Sequence, residues 1–104
     1  MARLDIYDNP IEEDRTAFPY VMEIQSDLLY KFVERVCVPL ARPDAFPGMT
    51  ERLNPPLAVQ GNTVHVHPFG LAVFHANELR NAVGNAKPDA LAIETALDML
   101  LRGY

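Results

Sequence analysis

The sequence predicts an α+β domain that is mainly β: a small barrel or two packed antiparallel sheets, finished by a C-terminal helix. Three observations carry this. Apolar and polar residues alternate on both sides of Gly61-Asn62, which writes a hairpin into Leu57 to His67. Nine prolines are spread over 104 residues, which breaks the chain into short strands and loops and argues against a helical bundle. Only Pro88 to Tyr104 reads as a long helix.

Taken in order, Leu4 to Tyr7 alternates, with Leu4 and Ile6 on one face and Asp5 and Tyr7 on the other, as in a short half-buried strand. Asp8-Asn9-Pro10 is turn chemistry. Ile11 to Phe18 is acidic and polar and reads as a mobile loop. Tyr20 to Gln25 alternates again, with Tyr20, Met22 and Ile24 inward. Leu28, Leu29, Tyr30 and Phe32 are apolar without a clean period, and no element is assigned to them. Arg35 to Leu40 is a strand with Val36, Val38 and Leu40 on the core side, and Pro39 within it argues for an edge position or a short strand. Ala41 to Pro56 is a long connection broken by prolines, the kind of segment that often carries function.

In the hairpin, Gly61-Asn62 suits a two-residue type II′ turn, with glycine first. That turn pairs Gln60 with Thr63, Val59 with Val64, Ala58 with His65 and Leu57 with Val66. It puts Leu57, Val59, Val64 and Val66 on one face. Leu71 to His75 is a further strand, Asn77 to Val83 a single helical turn or irregular, and Gly84-Asn85 a break. The final helix starts at Pro88, which suits the first helical position, with Asp89 in the first turn where the helix dipole favours an acid. Ile93, Leu97, Leu100 and Tyr104 fall on one stripe, Glu94 and Asp98 on a solvated face, and Gly103 closes the helix. About five strands and one helix then make a single domain over residues 1–104.

The composition excludes several classes of function. With 49% apolar residues the chain has a packed core. Its formal net charge is −5 and its Lys and Arg are scattered, so it is not built to grip a phosphate backbone directly. A single cysteine, Cys37, excludes an internal disulfide and fits a reducing cytosol. The N-terminus has no apolar leader, and no run approaches the ~18 apolar residues of a membrane span. A cytoplasmic location is expected, with no cofactor.

Candidate chemistry is sparse. His65 and His67 project from one face and His75 lies on the next strand, so three imidazoles could hold zinc. Surface histidines on a polar sheet face are the commoner case. Acid–base cleavage of RNA would need a His or carboxylate near an Arg, and His65, His67, Arg35 and Glu23 are the available groups. Cys37 reads as a buried, inert thiol.

Three stretches together carry a resemblance: Tyr20-Val21-Met22-Glu23-Ile24-Gln25-Ser26-Asp27-Leu28-Leu29, Arg35-Val36-Cys37-Val38-Pro39-Leu40, and Leu53-Asn54-Pro55 before a final helix ending in Gly and one more residue. In order, spacing and length the chain resembles the CcdB-type toxins of toxin–antitoxin modules. The resemblance implies an SH3-like barrel with a second small sheet, in a two-fold homodimer whose terminal helices meet. It implies a toxin that does no covalent chemistry. The paired helix ends bind the A subunit of DNA gyrase and trap its cleaved DNA complex, and an antitoxin removes the toxin with a disordered segment that folds on binding. The gyrase-contacting positions implied are Leu28 and Leu29, with Asp98, Leu101, Arg102, Gly103 and Tyr104 on the helix.

The chain departs from the best-known member at Arg102, where that protein has tryptophan, and at Tyr104, where it has an aliphatic residue. Two other readings stay open beside the gyrase poison. One is an RNA-cleaving toxin of the MazF/Kid type, and the other is a non-toxic homologue that only binds antitoxin.

Overall fold

The computed structural model describes residues 2–103. Seven strands and one helix follow one another: β1 (Asp5–Asp8), β2 (Tyr20–Glu23), β3 (Glu34–Ala41), β4 (Pro56–Val59), β5 (Asn62–Val66), β6 (Ala72–His75), β7 (Gly84–Asn85) and α1 (Ala90–Arg102). All strand pairs are antiparallel. The order is β4-β5-β3-β2-β1-β7, with β6 on the free half of β3. The two ends of that path, β4 and β7, line one cleft, so the sheet curls into a nearly closed, SH3-like barrel.

The barrel interior is what the alternation predicts. Ile6, Tyr20, Met22, Val38, Leu40, Leu57, Val59, Val64 and Val66 point inward, and Ile93 of α1 packs onto them. Each fully buried side chain of this size stabilises the fold by ~1.5–3 kcal/mol. Leu4 belongs to the same core but not to a strand. Its φ is +70, its N–H donates to the Glu23 carbonyl at 2.7 Å, and its carbonyl accepts from Ala86 at 2.9 Å.

The outer face of β1–β3 is not solvated as half-buried strands would be. Tyr7, Val21 and Cys37 form a second core with Phe74 and Leu79, because β6 and the following turn fold over that face. Val36, expected on the core side, is only half-buried. It pairs with exposed Val73 on β6, beyond the part of β3 that faces the barrel interior.

Four expectations are corrected. Pro39 lies in the longest strand and not at an edge: β3 pairs with β2, β5 and β6. The Pro39 carbonyl accepts from the His67 N–H at 3.0 Å, so the missing proline N–H faces the same edge, at the junction where β5 ends and β6 has not begun. The hairpin turn is Gln60-Gly61, with φ +51 and +79, and the pairs are Leu57 with Val64 and Ala58 with Thr63. Positive φ at both central residues is the type I′ geometry. Gln60 is held there by the Tyr20 hydroxyl, which donates to its Oε1 at 2.9 Å. Gly84-Asn85 does not break the chain but pairs with β1. The Ile11 to Phe18 loop is pinned: Arg15 Nε donates to the Asn9 carbonyl at 2.6 Å, and Asn9 Nδ2 to the Phe18 carbonyl at 3.0 Å.

The helix begins two residues later than expected, after a 3-10 turn that contains Pro88. Ile93 and Ala96 are buried, Leu97 packs at the core margin, and Gly103 ends the helix with φ +84, its N–H donating to Met99 at 3.1 Å. Tyr104 lies outside the described residues.

Gly70 is required for a steric reason. A Cβ there would lie 2.5 Å from Pro39 Cγ and 2.9 Å from Pro39 Cδ. The proline ring cannot swing aside, so the backbone must move. Gly70→Ala should therefore lower the urea midpoint by the equivalent of ~1–3 kcal/mol, without changing the m-value.

Candidate partner-binding site

Ser26 starts the most exposed apolar stretch of the protein. Its hydroxyl accepts from the Leu28 N–H at 3.2 Å, which caps a 3-10 turn over Asp27–Leu29. The Arg3 N–H donates to Asp27 Oδ1 at 2.7 Å and ties the turn to the N-terminal segment. Leu28 is 88% exposed, and Leu29, Tyr30, Phe32 and Val33 are exposed with it. This explains the missing period: the stretch is a capped turn and loop, so no helix or strand repeat can be read in it. The unassigned Tyr30 and Phe32, together with Val33, continue the exposed run that begins at Leu28 and Leu29. A run of apolar residues in a loop with no period was the available signal.

The second expected patch is the end of α1. Leu101 is 73% exposed and Arg102 projects beside it. Arg102 Nε lies 3.8 Å from Asp98 Oδ1, one turn back. Both side chains are well exposed, so this pair contributes little to stability. It does neutralise the helix end. Asp98, Leu101, Arg102 and Gly103 thus lie together at the end of α1, and among the described residues no hydrogen bond or ion pair joins them to Leu28 and Leu29. Glu94 is exposed, as expected, and lies 3.5 Å from Arg3.

The residues considered for catalysis are divided among structural tasks. His65 Nδ1 meets the Asn54 carbonyl at 3.0 Å. Buried Asn54 in turn donates to the Val66 carbonyl at 3.0 Å and accepts from Thr50 at 3.1 Å, which fastens the long 42–55 connection to the barrel. His67 stacks on Phe18 at 5.6 Å and meets Phe46 at 4.5 Å. His75 Nδ1 accepts from Asn77 and caps a 3-10 turn. Among the described residues no three His, Cys, Asp or Glu come together as a metal site. Glu23 and Arg35 face each other in the second core, 3.9 Å apart.

Burial sets the electrostatics of that core. It raises the Glu23 carboxyl pKa, against the lowering effect of Arg35 and with a further rise from Asp5. It pushes the Cys37 thiol up to about 12, and Glu23 adds to this, so the thiol is inert at neutral pH. A cavity of about 240 Å³ lies between this core and the Asn9–Phe18 loop, with Val21, Cys37, Pro39, His67 and Phe74 in its wall.

Burial also lowers the His67 pKa from its ordinary 6.5. The unfolded chain therefore takes up this proton more readily than the folded one. The contribution is complete above about pH 6.5 and is lost as pH falls towards the folded pKa. His67→Phe, which keeps the aromatic stack, should make stability fall less steeply between about pH 7 and pH 5 than in the parent. Urea unfolding at several pH values measures this, and superimposable pH profiles would contradict it.

The family model described as CcdB protein matches residues 3–103, essentially the whole described chain. No curated protein matches the chain. No helix of the described residues is long and apolar enough to cross a membrane. The match spans the barrel, the exposed turn after Ser26 and the terminal helix alike. The chain belongs to the CcdB family, toxins of toxin–antitoxin modules.

Proposed function

We propose that this toxin acts as a homodimer that binds the A subunit of DNA gyrase and traps its cleaved DNA complex, and that a cognate antitoxin neutralises it. The observation that supports this best is where apolar surface is left bare. The chain matches the family over residues 3–103, and Leu28, Leu29 and Leu101, to which the resemblance assigns the gyrase contact, are exposed. A net charge of −5 suits contact with protein rather than with DNA. The contact uses Leu28, Leu29, Asp98, Leu101, Arg102, Gly103 and Tyr104.

Arg102 in place of tryptophan is compatible with a two-fold meeting of helix ends. Each guanidinium arrives beside its own Asp98, 3.8 Å away, so two neutralised ends approach rather than two cations. Arginine is itself a frequent anchor at interfaces. The antitoxin is a disordered segment that orders on the toxin, with the Ile11 to Phe18 loop along its path.

Purified gyrase provides the test. Adding this protein should make linear DNA accumulate from a supercoiled substrate after denaturation of the complex. Removing Arg102 to Tyr104 should abolish this while leaving the melting temperature and antitoxin binding in place. Growth arrest by the truncated protein would refute the assignment of the helix end. Leu28→Glu changes a side chain with almost no packing, so it should fold normally and trap gyrase roughly tenfold or more weakly.

A further inference from the structure

Arg35 is the unusual residue of the second core. It is 7% exposed, yet it carries a charge that burial makes costly. Strand register accounts for its place. Glu23 pairs with Cys37 across β2 and β3, and Arg35 lies two residues along on the same face. The Arg35 Nε therefore faces the Glu23 carboxylate at 3.9 Å, and Glu23 is 4% exposed. The pair is poorly matched as a stabilising contact. Among the described residues neither Arg35 Nε nor Glu23 Oε1 has a hydrogen-bond partner. Replacing such pairs by apolar residues is often neutral or stabilising.

Three of the four remaining guanidinium N–H groups are used on backbone carbonyls. Nη1 donates to the carbonyls of Phe32 and Glu34, and Nη2 donates to the carbonyl of Tyr30 at 3.1 Å. The Tyr30 and Phe32 carbonyls belong to the loop that runs from the exposed 3-10 turn into β3, and Glu34 is the first residue of that strand. Arginine serves the three carbonyls from two nitrogens of a fixed planar fork, a spacing that the three donors on a lysine's single nitrogen do not reproduce. The other end of the loop is tied where Ala76 N–H donates to the Val33 carbonyl at 2.7 Å. Five apolar side chains, Leu28, Leu29, Tyr30, Phe32 and Val33, stand outward along this short segment. Left loose, such a loop would sample many conformations and lose that freedom on binding.

We propose that Arg35, oriented by Glu23, is the positioning residue of the partner-contact surface Leu28–Val33: it holds the loop backbone from beneath so that its apolar side chains meet the partner already arranged. The surface accordingly extends past Leu28 and Leu29 to Tyr30 and Phe32. The inference rests on the reading of this segment as the gyrase contact, but its physical core, backbone order set by Arg35, is measurable without gyrase.

Two variants of the full-length protein test it. Arg35→Lys keeps the charge opposite Glu23 and removes the fork. The double change Glu23→Leu with Arg35→Met removes the buried pair altogether and keeps apolar volume. Hydrogen exchange should show the Leu29, Tyr30 and Phe32 amides opening at least tenfold faster in both, with the barrel amides of Met22 and Val38 unchanged. The double variant should melt no lower than the parent and still bind the gyrase A subunit at least tenfold more weakly. A residue with a merely structural role would not separate stability from binding in this way. Unchanged exchange in the loop of either folded variant overturns the proposal. So does parental affinity in the double variant, provided the parent binds. If the parent itself does not bind gyrase, the functional reading fails and the exchange result alone decides the role of Arg35.

Discussion

The eight-residue strand β3 pairs with β2 through Cys37 to Leu40 along one edge, and with both β5 and β6 along the other. Everything else is arranged around that double use. The upper end, at Leu40 and Ala41, belongs to the barrel through β5, and the lower half, from Glu34 to Cys37, belongs to the second core through β6. Between them the edge needs no donor, and Pro39 occupies that place. The chain joining β5 to β6 must then pass close over the proline ring, which leaves no room for a side chain at residue 70. A proline that would weaken an ordinary central strand here marks where one partner is exchanged for another.

What could be read from the sequence was whatever depends on which face a residue occupies. The inward sets of β2, β4 and β5, the buried thiol of Cys37 and the glycine closure of α1 all follow from period and residue type. The hairpin register did not. Pairing Leu57 with Val66 or with Val64 leaves the same four apolar residues inward, so hydrophobic sorting cannot choose between them. In the observed register Gln60 accepts from the Tyr20 hydroxyl, a contact between residues 40 apart in sequence that no local pattern reveals. The second core was hidden for a related reason. Tyr7 and Val21 look like the outer face of a two-faced sheet until β6 is known to fold over them. In the candidate site the residue types were visible at Leu28, Leu29 and the helix end, but the extent of the surface depended on a loop without periodicity.

Stability and recognition are drawn from different parts of the molecule. The barrel interior is apolar and sealed by Ile93. The exposed turn makes little contact with it and is held mainly by hydrogen bonds, from Ser26, Arg3 and Arg35. The single buried ion pair described lies at the boundary between the two. Polar groups with directional bonds suit that boundary, because they can define a loop conformation without adding apolar surface that would draw the loop inward.

The pairing of β1 with β7 joins Asp5 to Asn85, partners 80 residues apart. At about 5–20 residues per second of synthesis, the first strand waits roughly 4–16 s for its neighbour. Ile93, which seals the interior, is made later still. Throughout that interval the nascent chain has an uncovered strand edge and an open barrel. Closure of the barrel therefore waits for β7 and α1. A chain whose translation stops before β7 carries the Leu28–Val33 sequence but presents unpaired strands, the form that chaperones and proteases recognise, rather than a finished toxin.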